Sequence, residues 1–387
     1  MKLFLIAGEP SGDKLGAALM QGLKTLRDDI EFHGVGGPLM QAQGLISLFP
    51  MDELSVMGIA EVLPKYRHLK RRIAETADHV LHLQPDALIT IDSPDFCMRV
   101  AKRVKAVSTL RTIHYVAPTV WAWRPKRADK MAKVIDQVLA LFPFEPPYMQ
   151  AAGMRCDFVG HPVVADPQAT PADADAFRSR HNIAKDAPLV LALPGSRKGE
   201  VSRLADRFGQ ALRLLLNTHP NARIVVPATE PVADLVQQKL ADWPGAPIIL
   251  DPRAQPPDQA QSEKRAAFRA ADVALAASGT VSLELAAAET PMVIAYDMNW
   301  LSRTLIARML QIDTVTLVNL VSDTRVVPEF LGRNCQPPPI ARALSDVLTN
   351  PTPQTEAMQL TMQRLGQGGT PPGLRAAQAV LDGLNTA

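Results

Sequence analysis

The chain has 387 residues, of which 47% are hydrophobic and 21% are charged. This composition is ordinary for a globular protein and excludes a disordered, a collagen-like and a disulfide-scaffold chain, while the length predicts two domains. Lysine and arginine number 41 against 39 aspartates and glutamates, and the resulting net charge of +2 is too small to indicate a nucleic-acid partner. The 3 cysteines are far apart and lack metal-ligand spacing, which is typical of buried thiols in a reducing compartment.

The N-terminus does not resemble a targeting segment. Gly8, Glu9 and Asp13 interrupt its apolar run where a signal peptide would still need apolar residues. No stretch approaches the roughly 20 apolar residues of a membrane-spanning helix. We therefore expect a cytoplasmic chain.

The first half of the chain alternates between strand and helix patterns. Lys2–Ala7 is a short apolar run, a turn-rich loop follows, and Leu15–Leu26 has apolar residues at helical spacing. This order of strand, loop and helix opens a parallel α/β unit. Further strands are predicted at Ala87–Ile91, Thr112–Val116 and Val134–Leu141.

The second half repeats this rhythm after a proline-containing linker at His161–Pro171. It is predicted to contain the helix Leu204–Leu216 and the strands Pro188–Leu193, Arg223–Pro227, Pro247–Leu250, Val273–Ala276 and Met292–Tyr296. Two successive α/β halves predict two Rossmann-like domains whose parallel sheets face an interdomain cleft. We expect the domains to be residues 1–165 and 166–354, with the C-terminal segment 355–387, helical over Pro372–Leu384, joining the first.

The strongest local signal is the segment Ala277–Glu284, which follows an apolar strand and opens an Ala/Leu-rich helix. Ser278 and Thr280 can cap that helix, Gly279 allows a ligand to approach the backbone, and Glu284 could accept from ribose hydroxyls. Free amides at a helix N-terminus suit a diphosphate. A plain capped helix explains the same residues, but the position at a strand end favours a nucleotide site.

A second phosphate-suited loop, Gly195-Ser196-Arg197, ends the first strand of the second half. Ligands bind at the carboxyl ends of parallel strands, and the planar guanidinium of Arg197 can neutralise a phosphate. Glu200 follows in the first turn of the next helix, where a carboxylate interacts well with the helix dipole. A surface arginine on a loop is the alternative.

Two polar loops end strands of the first half. The loop after Lys2–Ala7 lacks the G-x-G-x-x-G pattern, so its residues do not indicate dinucleotide binding. After the strand Ala87–Ile91, Asp92 and Asp95 follow closely. Asp92, nearer the strand end, suits a general base on a substrate hydroxyl, whereas Asp95 is expected to cap the next helix.

A basic amphipathic helix is predicted over Glu61–Leu81, within a span, Glu61–Lys133, that holds fifteen Lys/Arg against seven Asp/Glu, a net charge of +8. Such a helix can lie on an anionic membrane surface, or it can simply pack on its own sheet. Pro64 suits a first helical turn. The sequence alone leaves both interpretations open.

Eight segments in the same order resemble the lipid-A-disaccharide synthase family. They are AGEPSGDKLGA (Ala7–Ala17), VMGIAEVL (Val56–Leu63), IDSPDF (Ile91–Phe96), HYVAPTVWAWRPKR (His114–Arg127), FPFEPPY (Phe142–Tyr148), VGHP (Val159–Pro162), LPGSRKGEV (Leu193–Val201) and ASGTVSLE (Ala277–Glu284). Each is weak alone, but the ordered set is highly specific.

The resemblance implies a GT-B fold and an inverting glycosyltransferase of lipid A biosynthesis. Such an enzyme joins UDP-2,3-diacylglucosamine to 2,3-diacylglucosamine 1-phosphate, giving the β-1,6-linked disaccharide 1-phosphate and UDP. It implies no metal and no other cofactor, and a peripheral position on the cytoplasmic face of the inner membrane. A homodimer is left open.

The resemblance also implies roles for individual residues. Asp92 would take the proton of the acceptor 6-hydroxyl, although Asp13 and Glu9 stay open as the base. Residues expected to bind UDP are Gly195, Ser196, Arg197, Glu200, Ser278, Gly279, Thr280, Glu284, Asn319 and Arg325. Residues expected at the acceptor are Glu9, Ser11, Gly12 and Asp13, and those expected at the membrane and acyl chains are Val62, Leu63, Tyr66 and Leu69.

Two rival functions remain. One is another GT-B enzyme, such as the glycosyltransferase that acts on undecaprenyl-linked muramyl peptide, or a UDP-N-acetylglucosamine 2-epimerase, which does not need a basic membrane-facing helix. The other is a nucleotide-binding regulatory or scaffolding protein, which would bind UDP and be indifferent to Asp92→Ala.

Overall fold

The computed structural model describes residues 1–54, 59–298 and 312–385, without the side chains of residues 59–65. The chain forms two compact units, one of Met1–Ala165 with Leu365–Ala387 and one of Asp166–Arg364. We refer to them as the first and the second unit.

The first unit is built on a seven-stranded sheet in which every pair of neighbours is parallel. Its strands are β1 (Lys2–Ala7), β2 (Glu31–Val35), β3 (Ile46–Ser47), β4 (Ala87–Ile91), β5 (Arg111–Tyr115), β6 (Gln137–Ala140) and β7 (Arg155–Phe158). Their spatial order is β3-β2-β1-β4-β5-β6-β7. The central strands are buried on both faces, which explains why they are continuous apolar runs.

Helices cover this sheet. They are α1 (Pro10–Leu26), α2 (Pro38–Ala42), α3 (Ile59–Leu83), α4 (Pro94–Lys105), α5 (Arg127–Met131), α6 (Pro146–Ala151) and the C-terminal helix Pro372–Asn385, with 3₁₀ turns at Met51–Glu53 and Pro162–Ala165. The C-terminal helix packs on α1 at close range, since a Cβ on Gly22 would lie 2.6 Å from the Gly373 carbonyl oxygen. Gln137 Nε2 also donates to the Ala379 carbonyl at 2.8 Å. These contacts place the last helix in the first unit.

The second unit has a six-stranded sheet, also parallel throughout. Its strands are β8 (Leu189–Leu193), β9 (Arg223–Pro227), β10 (Ile248–Leu250), β11 (Val273–Ala276), β12 (Met292–Tyr296) and β13 (Glu329–Leu331), in the order β10-β9-β8-β11-β12-β13. Its helices are α7 (Pro171–Arg180), α8 (Lys198–Thr218), α9 (Ala233–Leu240), α10 (Pro257–Ala270), α11 (Val281–Ala287), Leu317–Ser322, Pro337–Thr349 and Thr352–Arg364, with 3₁₀ turns at Glu230–Val232, Pro252–Ala254 and Gly332–Asn334.

The C-terminal segment differs from the expectation that residues 355–387 join the first half as one piece. Thr352–Arg364 is helical and packs in the second unit. Arg364 donates to the Val321 carbonyl at 2.7 Å, and the buried Gln354 side chain pairs with both backbone groups of Met292 at 2.8 and 2.9 Å. These bonds hold Thr352–Arg364 in the second unit. The chain enters the first unit again at Leu365.

Two structural findings bear on the prediction that the helix α3 faces a membrane. α3 begins at Ile59, so Pro64 is its sixth residue and does not lie in the first turn as expected. Among the described residues, no helix is long and apolar enough to cross a membrane.

Candidate active site

Each sheet has one place where the strand order reverses, and the candidate residues gather there. In the first sheet this switch point lies between β1 and β4, and in the second it lies between β8 and β11. In open α/β sheets, ligands bind beyond the carboxyl ends of the strands at this point, where the two connections run in opposite directions. The loops after β1 and β4, and those after β8 and β11, are therefore the candidate binding loops.

Asp92 directly follows β4, and its backbone is unusual. Asp92 and Ser93 adopt φ angles of 51° and 41°, and the β-branched Val116 after β5 adopts 86°. Non-glycine residues in this region cost on the order of 1–3 kcal/mol each, so the surrounding structure must hold them. The Asp92 amide donates to the Tyr115 carbonyl at 3.1 Å. This left-handed turn connects the end of β4 to the start of α4.

The loop after β1 contacts the loop after β4. Ser11 Oγ donates to Asp92 Oδ2 at 3.2 Å, and a Cβ on Gly8 would lie 2.6 Å from Ser93 Oγ. Gly12 lets α1 approach β4, because a Cβ there would lie 3.3 Å from the Ile91 carbonyl oxygen. The acceptor loop expected from sequence and the expected base are thus brought together.

Asp13 differs from the expectation that it faces a ligand. Its carboxylate is 3% exposed and accepts from three backbone amides, those of Gly37 at 2.9 Å, Leu39 at 2.9 Å and Met40 at 3.0 Å. These are the amides at the start of α2, which lack partners within that helix. Asp13 therefore caps α2, and both of its oxygens are occupied.

Glu9 and Asp95 occupy helix starts. Glu9 stands at the N-cap position of α1 without a capping bond from its side chain, and it lines a cavity described below. Ser93, not Asp95, is the N-cap residue of α4, and Asp95 lies in the first turn, where its charge faces the positive end of the helix.

In the second unit, Glu200 organises the loop after β8. Its Oε2 accepts from the Ser196 and Arg197 amides at 3.1 and 3.3 Å, and its Oε1 lies 3.3 Å from the Arg197 guanidinium. Gly195 adopts a φ of 113°, and a Cβ there would lie 2.5 Å from the Glu200 Cβ. Glu200 is buried and holds the loop, whereas its expected contact with UDP stays a prediction. The Arg197 side chain, by contrast, is 68% exposed.

The loop after β11 is more open. Gly279 adopts a φ of 151°, a Cβ added there would meet no atom of the described residues within 4 Å, and Thr280 is exposed. Thr280 is the N-cap residue of α11 but makes no side-chain capping bond. Ser282 donates to the Gly279 carbonyl at 2.9 Å instead, and Ser278 is half-buried. The capping expected of Ser278 and Thr280 is therefore not made, and these side chains stay at the edge of the sheet.

Glu284 is paired with Lys264 Nζ at 2.7 Å and keeps 42% of its side chain exposed. Glu284 therefore reaches solvent one turn beyond the loop.

Tyr296, at the end of β12, lies near Glu200 and was not among the site residues expected from the sequence. Burial, together with the charge of Glu200, raises the pKa of Tyr296.

Asn319 is not exposed to a ligand. It is 1% exposed, its Nδ2 donates to Thr314 Oγ1 and to the Val327 carbonyl at 3.2 and 3.0 Å, and its Oδ1 accepts from the Val327 amide at 3.0 Å. Arg325 forms a two-pronged ion pair with Asp313 at 2.7 and 2.9 Å, which raises the pKa of Arg325 and lowers that of Asp313. Asn319 therefore stabilises its loop. The contact with UDP that was expected of it stays a prediction.

Only part of the membrane-facing set lies within the described side chains. Val62 and Leu63 lie outside them, whereas Tyr66 is 52% exposed and Leu69 is half-buried. Arg72, a neighbouring cation, does not face solvent freely, because its guanidinium forms two bonds of 2.8 Å with Glu53. That pairing holds the pKa of Glu53 at about 2. It fastens the middle of α3 to the 3₁₀ turn Met51–Glu53.

A further pair of loops in the first unit is held by a buried carboxyl group. Glu145 accepts from Trp121 Nε1 at 3.3 Å and from the Leu141 and Phe142 amides at 3.1 and 3.0 Å. Burial raises the pKa of Glu145 to about 7.

The described residues contain no group of three or more His, Cys, Asp or Glu side chains placed to hold a metal ion.

Comparisons with known proteins agree with one another. A family model described as lipid-A-disaccharide synthetase matches residues 3–379. The lipid-A-disaccharide synthase of Ruegeria pomeroyi is 66% identical over 99% of this chain and 96% of its own length. That of Rhodospirillum centenum is 46% identical over 98% of this chain and 94% of its own length.

Solved structures with low sequence identity share the fold. The UDP-N-acetylglucosamine 2-epimerase of Neisseria meningitidis, solved with UDP-N-acetylglucosamine, aligns over all of both chains with a TM-score of 0.63 at 11% identity. MurG of Acinetobacter baumannii aligns over 100% of this chain and 99% of its own with a TM-score of 0.56 at 15% identity. The two parallel α/β units and these likenesses identify the GT-B fold.

Proposed function

Because the chain belongs to the lipid-A-disaccharide synthase family, UDP-sugar glycosyltransferases that form the lipid A disaccharide, we propose specific substrates and residue roles for it. The donor is UDP-2,3-diacylglucosamine and the acceptor is 2,3-diacylglucosamine 1-phosphate. The loops after β8 and β11 bind the UDP part of the donor, and the loops after β1 and β4 bind the acceptor.

In the proposed reaction Asp92 is the general base. It takes the proton of the acceptor 6-hydroxyl while that oxygen forms a bond to the anomeric carbon of the donor. The bond from this carbon to the diphosphate breaks, UDP leaves with the electron pair, and the configuration inverts to give the β-1,6 linkage. The single observation that carries this assignment is the position of the Asp92 carboxylate at the switch point, held in a left-handed turn and bonded by Ser11.

Arg197 is proposed to offset the charge that develops on the leaving diphosphate. The Arg197 side chain is largely exposed, and its backbone amide is bonded to Glu200 Oε2, so the guanidinium can exchange its 3.3 Å contact with Glu200 for a phosphate without rearranging the loop. Donors placed in advance stabilise a transition state because they need no reorganisation. Gly279 and Thr280 border the same edge from β11. This arrangement provides charge compensation without a divalent ion.

The test is an assay of purified protein in EDTA with both substrates, in which UDP and disaccharide are followed by mass spectrometry. We expect both products from the unmodified protein. Asp92→Asn should lower turnover by about 10²-fold or more, the usual effect of losing a general base, with the affinity for UDP unchanged. Asp78→Asn, an exposed carboxylate on α3, is the matched control. Near-normal turnover of Asp92→Asn would remove Asp92 from the mechanism, and UDP without disaccharide would point to hydrolysis or an epimerase.

We also propose that α3 holds the protein peripherally at the cytoplasmic face of the inner membrane. Tyr66 is exposed, and the cations Arg67 and Arg71 of the same helix are exposed as well. Such a face suits an anionic bilayer surface. Changing Tyr66 and Leu69 to Ser should move the protein from the membrane fraction to the soluble fraction, and unchanged fractionation would assign the face to solvent.

A further inference from the structure

A cavity of about 570 Å³ lies between α3 and α4 of the first unit, and Ser93, the residue that follows Asp92, is part of its lining. Its inner end is formed by Glu9, after β1, and by Ser93 and Pro94, after β4. The inner end therefore borders the loop after β4, which carries the proposed base, and the loop after β1. The outer part runs between the two helices, which pack side by side.

The walls of this cavity are of two kinds. Leu69 and Ile73 of α3 and Phe96 of α4 form an apolar wall. Lys70 of α3 and Arg99, Lys102 and Arg103 of α4 form a basic rim. Arg99, Lys102 and Arg103 share one face of α4, since residues three and four apart are neighbours on a helix. We use the name basic rim for the four cations Lys70, Arg99, Lys102 and Arg103.

The fold does not use the charges of the basic rim. Within the described part of the chain, no ion pair joins any of its four members to a carboxylate. Nearby cations are used differently, since Arg72 binds Glu53 and Lys105 binds Asp136 at 2.7 Å. Two carboxylates, Glu9 and Asp95, also line the cavity, so its lining carries two more positive than negative charges.

Four cations close together repel one another, and a bound anion would remove this repulsion. Phosphate is the anion that a cluster containing arginine binds well, because the guanidinium offers paired donors. The adjoining apolar wall is suited to hydrocarbon, whose removal from water is favourable in proportion to its area. The cavity thus combines the two properties that recognise a lipid with a phosphate.

We propose that this cavity is the acceptor site, in which the basic rim binds the phosphate of the acceptor and the apolar wall holds its acyl chains. The inference rests on the proposed function, because it assumes that the hydroxyl beside Asp92 belongs to that acceptor. Side chains of a helix tilt toward its N-terminus, so Arg99 reaches back toward Ser93 and the inner end. Of the three rim cations on α4, Arg99 is the one closest along the helix to Ser93, and Lys102 and Arg103 lie one turn further toward its C-terminus.

The decisive experiment compares two acceptors that differ only in the phosphate, 2,3-diacylglucosamine 1-phosphate and 2,3-diacylglucosamine. The variant is Arg99→Gln with Arg103→Gln, and the matched control is Arg342→Gln, an exposed arginine of the second unit. We expect the variant to raise the KM for the phosphorylated acceptor about tenfold or more, as for lost charge-assisted bonds. The KM for the other acceptor, the KM for the donor and the affinity for UDP should stay unchanged.

The outcomes separate this inference from the proposed function. Turnover by the unmodified protein with an unchanged acceptor KM in the variant would overturn the inference and leave the function standing. If the unmodified protein does not turn over, the proposed function fails, and calorimetry with dodecyl phosphate and dodecanol decides the inference alone. Selective binding of dodecyl phosphate that the variant loses supports the phosphate site, and equal binding by both proteins overturns it.

A bilayer surface is the other source of lipid phosphates, and it is a separate outcome. Vesicles of phosphatidylglycerol are sedimented with the variant and with the control. If the variant loses vesicle binding but keeps its acceptor KM and its dodecyl phosphate affinity, the basic rim binds the membrane surface and the inference is wrong.

Discussion

Asp13→Asn separates a capping role from a catalytic one. In the structure Oδ1 of Asp13 accepts from Gly37 and Met40, and Oδ2 accepts from Leu39. The asparagine side chain has one acceptor oxygen, and its NH₂ group replaces the other oxygen. At least one of the three backbone amides therefore faces a donor and loses its hydrogen bond. A bond to a charged acceptor contributes about 1.5–3 kcal/mol, and the two retained bonds weaken because the charge is gone. We therefore expect the free energy of unfolding to fall by about 2–4 kcal/mol.

The assay has two readouts, the midpoint of urea unfolding and turnover at a temperature where the variant is folded. We expect a lower midpoint and a kcat within a few-fold of the unmodified protein. Asp28→Asn, an exposed residue of the same region, is the control for the loss of one negative charge. An unchanged midpoint together with a hundredfold loss of kcat would contradict the capping role and show that Asp13 acts on the substrate.

Three more results follow from the contacts described. Arg197→Ala should weaken UDP binding about tenfold, the order expected for a lost charge-assisted bond, and unchanged affinity in a calorimetric titration would exclude it from the donor site. Asn319→Ala should lower the free energy of unfolding by about 2–4 kcal/mol because it leaves the Val327 backbone groups without partners, while the UDP affinity of the folded protein stays the same; urea unfolding and calorimetry measure the two. Glu145 has a pKa raised by burial from 4.5 to about 7, so the folded state binds the proton more tightly than the unfolded state, and stability falls as pH rises through this window. Between pH 4.5 and 7 the free energy of unfolding should therefore fall by about 3 kcal/mol because of Glu145, and this part of the fall should be missing in Glu145→Gln. An equally steep pH dependence of urea unfolding in the variant would contradict the prediction.

The central strands were predicted from sequence because their burial leaves a simple pattern. β1, β4, β8 and β11 lie in the middle of their sheets, so each is a continuous apolar run that can be recognised by itself. The short β3 and the strands β2, β7 and β13 were missed. β7 is an edge strand containing Arg155 and Asp157, which pair with each other at 2.9 Å, and such a strand has no apolar run.

The basic rim could have been found from the spacing of Arg99, Lys102 and Arg103, which places them on one helical face. Their meeting with Lys70 could not, because it depends on how α3 packs on α4. The same is true of the contact between Ser11 and Asp92, which are 81 positions apart along the chain.

The family, the two parallel α/β halves and the candidate binding loops can be recognised from the sequence, because buried strands and the loops after them leave local patterns. What each polar side chain in those loops contacts depends on the packing of the folded chain. Asp13, Glu200 and Asn319 accept hydrogen bonds from backbone amides, whereas Asp92 follows the carboxyl end of β4 and the Arg197 side chain is largely exposed. A carboxylate or an amide binds a backbone group as readily as a ligand, and the folded loop alone determines which of the two is within reach.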